Sequence, residues 1–292
     1  MRGGGIMRNG IGVAAVEDRK GPFGETGVGV VTPNQHHHGP HGQVVVLKFG
    51  SSILDGPAGF RDAAAEVVEA VERGRRVVTV VSAVEGTTDA LLSSVASLSR
   101  RPPDGLVSRL LATGESASVA LFAIALAEAG VAACPLSAEA LGLRTTGPTL
   151  DAEPHEVGAG ALRKALERYL VVVVPGFVGV DAAGDLSLLG RGGSDLTALF
   201  VAHSLGAEEC RLLKDVDGIH DRDPGRFSST RRLERATWEQ ALQIGGDVVQ
   251  DKALRWASSR GLVFRVASVG GTGTIVGEEP AHAAVPTARG SH

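Results

Sequence analysis

Lys48, Gly50, Ser51 and Ser52 stand directly after the apolar run Val44-Val45-Val46-Leu47. Glycine lets backbone N–H groups approach phosphate oxygens, and lysine can neutralise a phosphoryl group in transit. The stretch is therefore either a phosphate-handling turn or a plain structural one. A more specific motif is Gly190-Arg191-Gly192-Gly193-Ser194-Asp195, immediately before an apolar helical stretch. Three glycines at a helix amino terminus make an anion site from backbone donors and the helix dipole, and Arg191 can fork onto a carboxylate or phosphate. A third candidate is the polar run Lys214-Asp215-Val216-Asp217-Gly218-Ile219-His220-Asp221-Arg222-Asp223-Pro224, either a solvated loop or a nucleotide-contact loop. Two further places hold polar groups against apolar surroundings. Ser82, Gly86, Thr87, Thr88 and Asp89 follow a second apolar run, where Thr88 or Asp89 reads as a helix cap. Glu115 is the one charge between Leu110 and Ala127, so it meets an internal cation or points into a site that takes a ligand amine.

These residues need a scaffold, and the hydrophobic pattern supplies one. Short apolar runs at 44–47, 76–82, 171–174, 211–214, 262–267 and 274–276 read as buried strands. Between them, helical spacing appears at about 57–73, 109–130, 194–205 and 248–260, with Asp55-Gly56-Pro57 as a start and Gly74 as a stop. Strands alternating with helices define an α/β fold on a parallel sheet, in which ligands bind at the carboxyl ends of the strands. Each chemical cluster above follows such a strand or opens a helix.

Composition narrows the classes. Of 292 residues, 43% are hydrophobic and 21% charged, with a formal charge of −4, which fits a globular enzyme and offers no basic patch for nucleic acid or membrane surfaces. Two cysteines, Cys134 and Cys210, give neither a disulfide framework nor zinc spacing and read as core residues of a reduced, cytoplasmic protein. The stretch at 110–127 carries too many hydroxyls for a membrane span by this reading. Residues 1–42, with Gly3 to Gly5 and four histidines near its end, and residues 278–292 read as flexible tails. Neither GxxxxGK[ST] nor GxGxxG occurs, which disfavours a P-loop enzyme and a dinucleotide-binding dehydrogenase.

The ordered set VVVLKFGSS, VVSAVEGTTD, LATGES, PGFVG, LGRGGSDLTA and KDVDGIHDRDP resembles the amino acid kinase family, and within it the catalytic domain of aspartate kinases, over about 44–277. The resemblance implies a three-layer α/β/α sandwich around a mainly parallel sheet. An acceptor-binding lobe at 43–180 would precede an ATP-binding lobe at 181–277. The implied reaction is transfer of the γ-phosphoryl of ATP, with Mg²⁺, onto the side-chain carboxylate of L-aspartate, giving 4-phospho-L-aspartate, a step of amino-acid biosynthesis. Lys48 and Asp195 would be catalytic; Ser51, Thr88, Glu115 and Arg191 would bind the acceptor. Gly50, Gly192, Gly193, Ser194, Lys214, Asp215, His220 and Asp223 would contact the nucleotide. Magnesium would rest mainly on phosphate oxygens, with at most a carboxylate such as Asp195. A homodimer with small-molecule substrates is implied as well.

The chain departs from the family pattern in three places. Lys48-Phe49-Gly50-Ser51-Ser52 replaces KFGGTS and is nearer the turn of glutamate kinases, so another acceptor (a glutamate-like carboxylate, a phosphonate or a phosphate) is the alternative. Asp247 stands where a phosphate-contacting lysine is expected, which leaves Lys252 or Lys214 to substitute, or else a silent nucleotide-binding regulator. His220 takes the place of an adenine-side tyrosine. The chain also leaves no room for paired ACT domains after 277, so feedback control through them is not expected.

Overall fold

The computed structural model describes residues 43–277 except 224, 228 and 245–247. The expected tails, Pro224 and Asp247 lie outside the described residues. In chain order the elements are β1 (Val44–Phe49), α1 (Pro57–Glu72), β2 (Arg76–Val81), α2 (Thr87–Leu98), α3 (Asp104–Glu128), β3 (Ala133–Pro135), α4 (Ala138–Leu141), β4 (Arg144–Thr146), β5 (Glu153–Glu156) and α5 (Ala159–Arg168). There follow β6 (Val171–Pro175), β7 (Val178–Val180), β8 (Leu186–Leu188), α6 (Gly193–Leu205), β9 (Glu209–Leu213), β10 (Arg235–Ala236), α7 (Trp238–Ile244), α8 (Asp251–Ser259), β11 (Phe264–Ala267) and β12 (Thr274–Val276).

Among the described residues, eight strands form one sheet in the order β10-β12-β11-β9-β1-β2-β6-β3, parallel except where β11 meets β12. Strand residues alternate between two apolar layers, as a doubly covered sheet requires. Val46, Val78, Val80, Val172 and Val174 face the layer of α5, α6 and α8, while Val45, Leu47, Phe49, Val77, Val81, Val171 and Val173 face α1 and α3. This is the expected three-layer arrangement. A second sheet, β5-β4-β7-β8, sits beside it, and its β7–β8 hairpin spans residue 180.

Strand β1 is central, with β2 on one side and β9 on the other. The earlier strands β2, β6 and β3 lie on one side of β1 and the later strands β9, β11, β12 and β10 on the other, so β1 and β9 mark a topological switch, and the crevice outside their carboxyl ends is the natural ligand position.

Two local details bear on the sequence reading. Of the expected start Asp55-Gly56-Pro57, Gly56 caps α1 with no side-chain cap bond, and Pro57 is its first helical residue. By length and composition α3 is apolar enough to cross a membrane despite its hydroxyls. One face of it packs into the core, with Phe122 and Leu126 fully buried against α1 and the sheet, while Leu106, Leu121 and Ile124 are exposed.

A buried ion pair ties the layers together. Arg211 of β9 pairs with Glu66 of α1, Glu66 Oε2 accepts from Gly270 N at 2.7 Å, and Arg211 Nη2 donates to the Gly271 carbonyl at 3.1 Å. Arg211→Met leaves Glu66 buried without its cation, so a loss of about 3 kcal/mol is expected, or roughly 6–12 °C in Tm by thermal melting. The double change Glu66→Leu with Arg211→Met is expected to recover much of it, because a buried pair exchanged for apolar groups leaves no orphaned charge.

Candidate active site

Alternation along β1 places Lys48 on the same face as Val46, toward α6. Asp195 lies in the first turn of α6, and Lys214 follows β9 at the neighbouring strand end. The three side chains meet. Lys48 Nζ lies 2.7 Å from Asp195 Oδ1 as an ion pair, and Lys214 Nζ donates to Oδ2 at 2.7 Å. Lys48 and Asp195 are only 5% and 2% exposed, so the pairing is scarcely screened by water. Burial pushes the Lys48 ammonium below its ordinary value, against the pull of Asp195. Burial alone would raise the Asp195 carboxyl, but the two ammonium groups together hold it below the usual range. One carboxylate thus fixes two cations, and the cluster keeps a net positive charge at the strand ends.

The glycine-rich turn beside this cluster is shaped by close approaches. Gly190 and Gly192 have φ of 72° and 77°, in the left-handed region that glycine adopts without strain. A Cβ at Gly190 would lie 2.2 Å from Asp151 Oδ1, and one at Gly192 2.5 Å from Gln250 Cβ. Gly192 caps α6 without a side-chain bond, and Gly193 N donates back to the Gly190 carbonyl at 3.0 Å. The next two amides, of Ser194 and Asp195, are first-turn donors with no intrahelical acceptor, aimed where an anion is favoured. Arg191 is exposed and makes no ion pair with a described residue. At the β1 turn the sequence reading needs correcting for Gly50. Its N–H donates to the Leu213 carbonyl at 3.2 Å and is unavailable to phosphate, whereas the amides of Ser51 and Ser52 have no acceptor among the described residues.

At the other end of the cleft stand Ser82, Ala83, Thr88 and Glu115. The capping expected of Thr88 or Asp89 does not occur: α2 is capped by Gly86 at φ 75° with no side-chain bond, and Thr88 lines the cleft. Gly114 lets α3 lie against Ala83, whose methyl group would be 3.0 Å from a Cβ there. Glu115 therefore reaches the Ala83 amide, which donates to Oε1 at 3.4 Å, while Oε2 is buried without a partner. No internal cation meets Glu115 among the described residues, and the side chain lines the cleft. Burial raises its carboxyl to about 7.

This shift has a testable sign. A carboxyl whose folded value lies above its unfolded 4.5 favours the folded state at low pH, and that advantage is lost as pH rises through about 7. The ligand-free protein is expected to lose on the order of 3 kcal/mol between pH 4.5 and pH 8 through this group. Glu115→Gln should flatten that slope in urea titrations across pH, and an unchanged slope would show that Oε2 is not isolated.

The whole assembly lines a cleft of about 1150 Å³, large enough for two small molecules side by side. Lys48, Gly50, Ser51, Thr88, Glu115, Arg191, Gly192, Gly193, Ser194, Asp195, Lys214, Asp215, His220 and Asp223, all proposed from sequence, fall on its wall. Residues 43–268 match the Amino acid kinase family. The chain belongs to that family. It is 34% identical over 228 residues to the aspartokinase of Thermus thermophilus, a match covering 77% of this chain and 56% of that one. It is similar in structure to the aspartate kinase of Synechocystis, with a TM-score of 0.70 and 30% identity over 81% of this chain and 40% of that one. Aspartokinase III of E. coli, solved with aspartate and ADP, shares the fold at a TM-score of 0.69 and 23% identity, over 82% of this chain and 66% of that one. The chain thus spans a little over half the length of the curated aspartokinases it matches.

Within the amino acid kinase fold, several side chains of the far wall of this cleft are committed to bonds within the chain. His220 is held at both nitrogens, Nδ1 by Thr230 Oγ1 at 2.9 Å and Nε2 by Asp217 Oδ1 at 2.7 Å, which leaves its ring face for stacking. The His220 hydrogen bond, with Arg232 nearby, holds the Asp217 carboxyl below its usual value. Asp223 accepts from Gly225 N at 2.8 Å and pairs with Arg226, so it shapes its own turn. Lys252, a candidate substitute for the missing lysine, does not line the cleft. Its ammonium is engaged by Asp151, Glu153 and two backbone carbonyls. Lys214 does reach the site. Sequence reasoning missed Phe177, Ile244, Val248 and Gln250 as lining residues. Phe177 sits in the PGFVG segment at φ 65°, a strained value for a bulky residue, and its amide donates to Thr197 Oγ1 at 3.2 Å.

Proposed function

We propose that this chain transfers the γ-phosphoryl group of ATP to the side-chain carboxylate of L-aspartate. The observation that carries the proposal is the buried Lys48–Asp195–Lys214 cluster, set between an anion-accepting helix start and a buried acid, Glu115, whose Oε2 has no partner among the described residues. The aspartokinases among its relatives support the choice of acceptor.

In this reading Glu115 takes the acceptor's ammonium group, Arg191 its α-carboxylate, and Thr88 and Ser51 donate hydrogen bonds nearby. One oxygen of the side-chain carboxylate attacks the γ-phosphorus, the new O–P bond forms as the bond to the β-phosphate oxygen breaks, and ADP leaves with that electron pair. A carboxylate is already ionised at neutral pH, so the step needs no general base. Catalysis is then positioning and charge neutralisation. Lys48 and Lys214 meet the charge on the phosphoryl oxygens, and the amides of Ser194 and Asp195 add backbone donors. Asp195, paired with two ammonium groups, serves to set them and is a positioning residue.

The segment 214–223, from the lobe at 181–277, receives the nucleotide, and the lobe at 43–180 receives the acceptor. A magnesium ion bound with ATP would supply further charge neutralisation at the phosphate oxygens. Asp195 is taken by lysines, and no group of three or more metal-ligating side chains occurs among the described residues. Asp215, which lines the cleft with no partner among the described residues, is the side chain suited to touch phosphate-bound magnesium. The same reading takes the enzyme as a cytoplasmic homodimer.

Coupled measurement of ADP release with MgATP and a panel of L-aspartate, L-glutamate, N-acetylglutamate and no acceptor tests the proposal. Release dependent on aspartate alone is expected. Release dependent on another member of the panel would move the acceptor, and none at all would sink the kinase reading.

A further inference from the structure

Lys252 occupies the first turn of α8, where the helix dipole disfavours a cation. Its placement therefore calls for another cause, and its contacts supply one. Nζ donates to the Leu189 carbonyl at 3.0 Å and to the Ala152 carbonyl at 2.9 Å, and lies 3.0 Å from both Asp151 Oδ1 and Glu153 Oε1. Leu189 is the residue before Gly190, and its own amide is held by the Phe177 carbonyl at 2.8 Å. Asp151 is the side chain that a Cβ at Gly190 would strike, and the neighbouring Gln250 is the one that a Cβ at Gly192 would strike. One ammonium group thus joins α8 and the 151–153 segment to the turn that presents Arg191 and opens α6.

The two kinds of contact differ in strength. Asp151 and Glu153 are mostly exposed, so their ion pairs with Lys252 are screened and weak. The carbonyls of Ala152 and Leu189 belong to fully buried residues, and bonds to them from an ionised donor are the firmer ones.

We propose that Lys252 is a positioning residue, a clamp that holds the 189–193 turn in its anion-receiving shape and thereby sets the affinity for the acceptor without touching either substrate. The effect on acceptor rests on the kinase reading above; the effect on the turn does not.

The test pairs two readouts on the full chain. In Lys252→Met, amide hydrogen exchange at Leu189 and Gly193, the hydrogen-bonded amides of the turn, is expected to rise at least roughly tenfold while the sheet amides of β1 and β9 stay protected. The KM for aspartate, held by Arg191 of this turn, is expected to rise roughly 10- to 100-fold, and the KM for ATP, whose phosphates the helix start also meets, by less than about tenfold. Lys252→Arg keeps the charge but not the compact donor, so it should restore part of the acceptor affinity. Should Lys252→Met fold poorly, Lys252→Arg gives the same two readouts at smaller amplitude. Unchanged exchange at Leu189 and Gly193 overturns the clamp, as does a rise spread evenly over the sheet, which would mark ordinary destabilisation. An ATP KM that rises in step with that for aspartate overturns the assignment to the acceptor side. If the unaltered protein has no turnover with aspartate, the kinase reading fails, and the exchange measurement still decides the clamp.

Discussion

Lys48→Met is expected to lower kcat by about 10³-fold at saturating ATP and aspartate, while the affinity for ATP changes by less than about tenfold. Lys48 is the cation on β1, the central strand, and its ammonium is buried, so its field acts on phosphoryl oxygens with little screening. Methionine keeps the length and apolar stem of the side chain and removes only the charge. Asp195 retains Lys214 at 2.7 Å, so no carboxylate is orphaned and the fold should survive with only a modest fall in Tm. Steady-state kinetics beside nucleotide titration separates the two effects. A variant within tenfold of the unaltered kcat would mean that Lys48 is a structural partner of Asp195 and that Lys214 alone faces the phosphoryl group.

Asp195→Asn should be the more damaging change to the protein as a whole. It leaves Lys48 and Lys214 as neighbouring buried ammonium groups with no counter-charge, and a loss of about 3–5 kcal/mol of stability is expected. That corresponds to roughly 6–20 °C in Tm for a chain of this size. The mutual repulsion should also drive the lysines apart and lower kcat by about 10²- to 10³-fold. The pH dependence carries a further sign. The stability that Asp195 contributes is fully present above its unfolded value of 3.8 and is lost as pH falls through the lower folded value, so the variant should have a flatter acid limb. Full stability together with full activity would remove Asp195 from the role of setting the lysines.

Much of this arrangement was legible before any coordinates. The valine runs of β1, β2 and β6 are buried on both faces, and such runs announce parallel strands without a partner being known. The three glycines at the start of α6 point to an anion site because few other roles require them together. Elements set by tertiary context were harder to see. Strands β4, β7 and β8 have three residues each, too few for any period to show, and α5 buries only Leu162 and Leu166. Side-chain commitments were hidden for the same reason. Nothing in a string of residues says that the Gly50 amide is spent on Leu213, that Thr88 caps nothing, or that Lys252 turns away from the cleft toward Ala152 and Leu189. Each of those facts depends on residues distant in sequence. Glu115 lies between the two cases: its isolation in an apolar stripe marked it, but only the fold shows that no cation among the described residues comes to meet it.

The central claim is that the cleft makes an acyl phosphate on aspartate, and hydroxylamine trapping reads that product directly. The protein would be incubated with MgATP, L-aspartate and hydroxylamine, and the hydroxamate identified by mass spectrometry, with Lys48→Met and acceptor-free controls. The account predicts aspartyl β-hydroxamate formed by the unaltered protein and virtually none by the variant. Hydroxamate absent from the unaltered protein while ATP is bound, or formed equally by Lys48→Met, would contradict it.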